Sequence, residues 1–132
     1  MTDRARATSL LLASALLIAS AGVHALMGWR DLRTDLAALH VNPRLAGVLG
    51  AGWQFGSVSL LAFGLIALTA GSARWRGDPV ASVTLWVPAA ALAGFGTGAL
   101  LLVGYEPFYF GYILLGILLA LGAKSPAAAR SR

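Results

Sequence analysis

Few side chains in this sequence could do chemistry, and long apolar stretches separate most of them. The polar groups inside those stretches include His24, Gln54, Ser57, Ser59 and Thr97. Polar groups in apolar surroundings are costly to bury, so they usually face one another or line a cavity. We therefore predict a small pocket for a weakly polar ligand, lined by His24, Trp53, Gln54 and Thr97, with Tyr105 and Glu106 at its mouth.

The same residues also have a purely structural interpretation. Gln54 and Thr97 could hydrogen-bond each other, and His24 could donate to a backbone carbonyl of a neighbouring helix. Tyrosines near one end of a membrane span, such as Tyr105, are typical of the aromatic belt at a membrane interface. Both interpretations remain open at the level of the sequence.

Sequence motifs for catalysis and cofactor binding are missing. The chain has no cysteine, which excludes disulfides, thiol catalysis and cysteine-ligated metals. It has no H-E-x-x-H, P-loop or G-x-S-x-G motif. Residues 94–98 read GFGTG, but a dinucleotide fingerprint follows a strand, and His24 and His40 are poorly placed to ligate one haem. We expect a protein that is not an enzyme and that holds no metal and no cofactor.

The composition indicates an integral membrane protein. The chain has 132 residues, of which 58% are hydrophobic and 11% charged, and its mean hydropathy is +0.78. Soluble domains average about 45–50% apolar and about 25% charged residues. A soluble domain and a disordered chain are thereby excluded. The net charge of +5 needs no nucleic-acid partner, because the basic residues lie at the ends of apolar segments.

Four apolar segments are candidates to cross the bilayer as helices, which takes about 20 residues each. The segment between the first two predicts a short amphipathic helix, either on the outer membrane surface or across the mouth of the bundle. The predicted fold is all-α: a polytopic membrane protein with one membrane domain (1–132) and a four-transmembrane-helix bundle. The predicted spans are residues 8–28, 43–70, 79–104 and 107–123, and the amphipathic helix covers 29–41.

Three of the predicted spans begin with the same type of signal. A residue that can cap a helix precedes a proline, which is tolerated at the first helical position because its missing N–H has no partner there. The three pairs are Asn42-Pro43, Asp78-Pro79 and Glu106-Pro107.

The distribution of basic residues predicts the orientation. Seven of the ten Lys and Arg residues precede the first span, lie between the second and third, or follow the fourth. By the positive-inside rule, both termini are expected in the cytoplasm, in the inner (plasma) membrane. Residues 1–21 also resemble a cleavable signal peptide, but the apolar run continues to Met27, so we expect the first span to be retained.

Two G-x-x-x-G motifs predict close contacts between helices. They place Gly52 with Gly56, and Gly94 with Gly98. Small residues at this spacing let two helices approach closely. We expect these glycines to pack inside the bundle, with a docking surface for another membrane subunit as the alternative.

Residues 22–29 read GVHALMGW and residues 51–57 read AGWQFGS. Together they resemble the first half of small four-span bacterial inner-membrane proteins of unknown function, over about residues 20–66. Such sequences often have a histidine after the tryptophan, where this chain has Gln54. The resemblance implies a four-helix membrane bundle and no catalytic residue.

Two functions remain open. Small size, abundant glycine and missing catalytic motifs favour an accessory or assembly subunit of a larger membrane complex. The polar cluster ringed by aromatic residues favours instead a binder or transporter of a small apolar or lipid-like molecule. The expected partners are the lipid bilayer and either other membrane subunits or further copies of this chain, with no nucleic acid.

Overall fold

The described part of the chain is almost entirely helical. A computed structural model describes residues 2–104 and 106–124 of the chain. In chain order the elements are α1 (Asp3–Val23), a π-helical turn (His24–Gly28), α2 (Trp29–Ala38), α3 (Pro43–Arg76), α4 (Val83–Val103) and α5 (Phe108–Ala123).

Three helical segments are long and apolar enough to cross a membrane, judged by length and composition. They are α1 together with its continuation through α2, then α3, then α4. Helix α5 is also apolar but has only 16 residues, or about 24 Å at 1.5 Å per residue. The predicted all-helical class is confirmed, with three to four helices able to span a membrane.

The amphipathic segment after the first span continues α1 instead of leaving it. Val23 and Trp29, at the edges of the π turn, have helical backbone angles, and the N–H of Trp29 donates to the carbonyl of His24. The combined helix has 36 residues, about 54 Å, against a hydrocarbon core of about 30 Å. Helix α2 is therefore an extension of the first helix and ends at Ala38, earlier than the predicted 41.

The proline signals predict the start of one helix correctly. The Asn42 side chain accepts a hydrogen bond from the N–H of Arg44 at 2.8 Å, with Pro43 at the first helical position. The predicted start at Pro79 is wrong, because α4 begins at Val83. The predicted start at Pro107 is one residue early, because Pro107 is the N-cap of α5 and the helix begins at Phe108.

Asp78 completes the preceding helix instead of capping the next one. Gly77 has a left-handed φ of +84°, and its N–H donates to the carbonyl of Arg74. The N–H of Asp78 donates to the carbonyl of Ala73 at 2.9 Å, which completes a Schellman motif. The carboxylate of Asp78 pairs with Arg76 at 3.0 Å. The backbone N–H and the carboxylate of Asp78 therefore both bind to the last turn of α3.

The helices pack as two antiparallel pairs. Helix α1 lies along α3 and α5 lies along α4, while contacts between α1 and α5 join the two pairs. Helices α3 and α4, although consecutive in the chain, touch only slightly, and a groove of about 450 Å³ lies between them. The spatial order is therefore α3, α1, α5, α4. The start of α1 and the ends of α3 and α5 lie together at one end, called the basic end below, and α2 extends from the other.

Small residues on α3 face the continuous first helix, from α1 into α2, at a spacing of seven residues. All four members of the repeat are buried: Gly50, Ser57, Gly64 and Gly71. A Cβ atom on Gly64 would lie 2.8 Å from Cγ1 of Ile18, and one on Gly71 would lie 3.0 Å from Cγ of Leu11. A repeat of seven residues, or 3.5 per turn, is typical of helices that cross at a small angle along their whole length.

The glycines of the G-x-x-x-G motifs do not lie at close contacts between the described helices. A Cβ atom on Gly52, Gly94 or Gly98 would meet no atom within 4 Å among residues 2–104 and 106–124, so the expected packing contacts are absent there. Gly56 makes only an ordinary contact, 3.4 Å from Cε1 of His24. On α3 the G-x-x-x-G motif begins at Gly52, where a Cβ atom would have no neighbour within 4 Å, whereas the contact with the first helix follows the seven-residue repeat. Gly52 and the repeat therefore lie on different sides of α3.

Candidate functional site

His24 is held at the π turn by a hydrogen bond from another helix. Its Nδ1 atom lies 2.8 Å from Oγ of Ser57 on α3, and Ser57 is buried. The Ser57 hydroxyl also donates to the carbonyl of Trp53 at 3.2 Å. A hydroxyl has a single proton, so when Ser57 donates to Trp53 it accepts from Nδ1, and Nε2 of the neutral imidazole remains an acceptor. Within the described residues, Nε2 has no hydrogen-bond partner.

Trp53 holds the same histidine from a second side. The indole and imidazole rings are stacked, with centroids 4.0 Å apart and planes 4° apart. The indole Nε1–H donates to the backbone carbonyl of His24 at 2.7 Å. That carbonyl also accepts from Trp29 in the π turn, so both its lone pairs are used. The π turn thus supplies an acceptor to the neighbouring helix.

A glycine in the π turn makes room for the tryptophan. A Cβ atom at Gly28 would lie 2.7 Å from Cζ2 of Trp53, closer than real Cβ contacts. On the other side of the same interface, a Cβ atom at Gly50 would lie 2.5 Å from Cη2 of Trp29. Each helix therefore presents a tryptophan to a glycine of the other, which allows the two large rings to lie between closely spaced backbones.

A cavity of about 430 Å³ lies beside this cluster, between α1, α3 and α5. We call it the His24 cavity. Its walls are mostly apolar. The side chains with polar or aromatic groups that line it are Ser20, His24, Trp53, Phe108 and Tyr112.

Aromatic rings from α5 form the wall opposite the histidine. Tyr112 contacts Phe108 edge-on at a centroid distance of 5.4 Å. Phe95 of α4 supports Tyr112 from behind, at 4.9 Å and with the rings nearly perpendicular. Edge-to-face packing of this kind fixes ring positions. The cavity therefore has aromatic rings on two sides: the stacked His24–Trp53 pair on one, and the edge-to-face rings of α5 on the other.

The structure brings together only part of the predicted pocket. His24 and Trp53 are in direct contact, but Gln54 is exposed and lines a separate hollow of about 480 Å³ with Trp29 and Arg33. Gln54 follows Trp53 by one residue, which turns its side chain by about 100° around the helix.

The other predicted residues lie away from His24. Thr97 is exposed on α4, which packs against α5 and contributes no residue to the His24 cavity in the part of the chain that the structure describes. Glu106 is exposed in the connection between α4 and α5. Tyr105 lies outside the described residues. The predicted convergence of His24, Gln54 and Thr97 therefore does not occur.

Sequence reasoning missed Ser57 and Tyr112 as members of the site. Ser57 was recognisable, because it belongs to the seven-residue repeat of small residues on α3 and is the only member of that repeat with a side-chain hydrogen-bonding group. Tyr112 had no comparable signal, since α5 is apolar on all its sides and does not reveal from its sequence which side faces α1.

The lining of the cavity combines apolar walls with a few hydrogen-bonding groups. Its hydrogen-bonding groups are an imidazole and hydroxyls, with no carboxylate among the residues lining the cavity. Among residues 2–104 and 106–124, no group of three His, Cys, Asp or Glu side chains could hold a metal ion. An apolar cavity with few polar groups suits a small molecule that is mostly hydrocarbon and has one weakly polar group.

Comparison with known proteins gives no match: no protein-family model, no curated protein and no solved structure matches this chain. The fold and the cavity alone therefore define its class, a small helical protein with several helices able to span a membrane. The resemblance of residues 20–66 to small four-span bacterial proteins stays a prediction.

Proposed function

We propose that this protein binds a small, weakly polar, lipid-like molecule in the His24 cavity. One observation carries the proposal: a cavity of about 430 Å³ with mostly apolar walls adjoins a histidine that is oriented by a second helix. The hydrogen bond to Ser57 and the stack on Trp53 fix the imidazole before any ligand arrives. A preorganised polar group in an apolar cavity selects one end of a ligand at low entropic cost.

We further propose that the chain is a multi-pass protein of the inner membrane with both termini in the cytoplasm. The support is the charge distribution: among the described residues, the start of α1 and the ends of α3 and α5 carry five of the eight Lys and Arg residues. In that orientation the His24 cavity lies in the half of the bundle remote from the cytoplasm.

Native mass spectrometry of the intact protein from mild detergent tests the binding proposal. Gly111 lines the cavity, and a Cβ atom there would meet nothing within 4 Å, so Gly111→Leu adds bulk at the cavity wall. Gly94 is equally open but lies on α4, away from the cavity, so Gly94→Leu is the matched control. We expect a bound small molecule in the wild type and in Gly94→Leu, and its loss in Gly111→Leu. Equal occupancy in both variants contradicts the proposal, as does a wild-type protein without any bound molecule.

A second candidate function, the accessory subunit, has its own supporting observation. Gly52, Gly94 and Gly98 present open backbone on the outside of the described helices, where another membrane helix could approach closely. The same experiment separates the two functions. Loss of a stoichiometric protein partner or second copy in Gly94→Leu, with retention in Gly111→Leu, favours the accessory subunit.

A further inference from the structure

The side chains of two arginines at the basic end are largely or partly buried, although arginines that only orient a protein in a membrane need no burial. The side chain of Arg6 on α1 is only 13% exposed, and Arg74 on α3 is half-buried. The Nε atoms of both are buried without a hydrogen-bond partner among the described residues. Arginines that serve only to orient a protein in the membrane can remain hydrated, and an unpaired buried donor is destabilising.

Both arginines lie where three helices meet. Leu10 of α1 packs against Gly71 of α3 and against Gly122 of α5. Arg6 lies one helical turn before Leu10, and Arg74 lies three residues after Gly71. The guanidinium of Arg74 also reaches α5, with Nη2 3.5 Å from the carbonyl of Ala123.

Of the three positive charges at this point, only that of Arg6 is paired with a carboxylate among the described residues. Arg6 pairs with Asp3 at 2.9 Å, and the carboxylate of Asp3 is largely exposed. Arg74 has no carboxylate within 4.0 Å in the part of the chain that the structure describes. Lys124, directly after α5, adds a third positive charge at the same end. Enclosing like charges costs free energy through lost hydration and mutual repulsion, and a bound anion offsets both.

We infer that Arg6, Arg74 and Lys124 form a binding site for a phosphate group at the basic end of the bundle. Guanidinium groups match the oxygens of a phosphate and donate several hydrogen bonds to it. The head group of an anionic phospholipid and free inorganic phosphate share this chemistry. The site is separate from the His24 cavity, so it can be right or wrong independently of the proposed function.

Lipid titration followed by native mass spectrometry tests this site in the full chain. The probes are a phosphoglycerol lipid and a phosphocholine lipid with the same acyl chains, with inorganic phosphate as a third arm. The test variant is Arg6→Gln with Arg74→Gln. The control is Arg4→Gln with Arg76→Gln, two exposed arginines at the same end, so the change in net charge is identical.

We expect the test variant to bind the phosphoglycerol lipid about tenfold more weakly than the wild type, the loss expected from at least one charge-assisted hydrogen bond. The control is expected to change less than about twofold, because exposed arginines contribute mainly diffuse attraction. Phosphate that binds alone and displaces the lipid identifies a soluble phosphate as the ligand. Equal losses in the two double variants overturn the site, as does a wild-type protein that binds neither the phosphoglycerol lipid nor inorganic phosphate. If the test variant does not fold, Arg74→Gln against Arg76→Gln makes the same comparison.

Discussion

The imidazole of His24 lies flat on the indole of Trp53, and the same indole donates a hydrogen bond to the His24 backbone at 2.7 Å. One tryptophan on α3 thus holds both the side chain and the main chain of a residue on the first helix. This double contact is possible because the π turn presents the His24 carbonyl to α3, and because Gly28 leaves room for the indole.

Replacing Trp53 by phenylalanine is therefore expected to lower stability. The variant keeps an aromatic ring but loses the Nε1–H bond to His24, at a cost of about 0.5–1.5 kcal/mol. Thermal unfolding in detergent measures the change. Trp75→Phe, on the exposed side of the same helix, is the control and should leave the melting temperature nearly unchanged. Equal effects of the two substitutions would show that the hydrogen bond contributes nothing.

Two serines of α3 should differ in their contribution to stability. Ser57 bonds across to His24, whereas the Ser59 hydroxyl donates only to the carbonyl of Phe55 in its own helix. Hydrogen bonds between membrane helices contribute about 0.6 kcal/mol on average and at most about 1.7. We expect Ser57→Ala to destabilise by an amount in this range and Ser59→Ala to be neutral in chemical denaturation. An unchanged stability in Ser57→Ala would show that the hydrogen bond between Ser57 and His24 does not stabilise the protein.

The two glycine patterns of α3 give opposite expectations for a large side chain. Leucine at Gly64 must push away Ile18, whose backbone nitrogen is 3.2 Å from the Cβ position, so the α1–α3 pair should lose about 1–3 kcal/mol. A Cβ atom at Gly52 meets open space, so Gly52→Leu is expected to leave the stability of the single chain unchanged or to raise it by up to about 1 kcal/mol through helix propensity. A larger loss at Gly52 than at Gly64 would mean that α3 packs through its other side.

Alanine substitution of two further glycines should change stability in opposite directions. Gly77 has φ of +84° at the end of α3, where an L-residue is strained, so Gly77→Ala is expected to destabilise by about 1–2 kcal/mol. Gly94 lies inside α4 with space around it, so Gly94→Ala should stabilise by up to about 1 kcal/mol through helix propensity. Equilibrium unfolding of both variants gives the two signs. A stabilising Gly77→Ala would contradict the left-handed backbone at Gly77, and a destabilising Gly94→Ala would contradict the open space around Gly94.

Reporter fusions test the proposed orientation. A reporter that is active only outside the cytoplasm should be inactive when fused after Arg132 and active when fused near Thr34 in α2. The reason is the excess of basic residues at the end of the bundle remote from α2. The reverse pattern of activity would invert the bundle and place the His24 cavity in the cytoplasmic half.

Much of the architecture was predictable because it depends on local chemistry. The apolar segments, the cap at Asn42 and the amphipathic character of α2 depend only on residues close together in the chain, and each appears in the structure. The start of α4 was not predictable in this way. From sequence, Asp78 can either cap a following helix or complete the end of a preceding one. In the structure Gly77 has a left-handed φ, which lets the N–H of Asp78 bond to the end of α3.

The sequence by itself determined that this is a helical protein suited to a membrane, and about where its helices lie. Only the tertiary structure decided which side of each helix faces its neighbours, and so which polar residues meet. In water, an apolar stripe against polar residues marks the inner face of a helix. In lipid that contrast disappears, because the outer face is as apolar as the inner one. For that reason the sequence did not reveal that His24 contacts Ser57 and Trp53, or that Gln54 and Thr97 lie away from it.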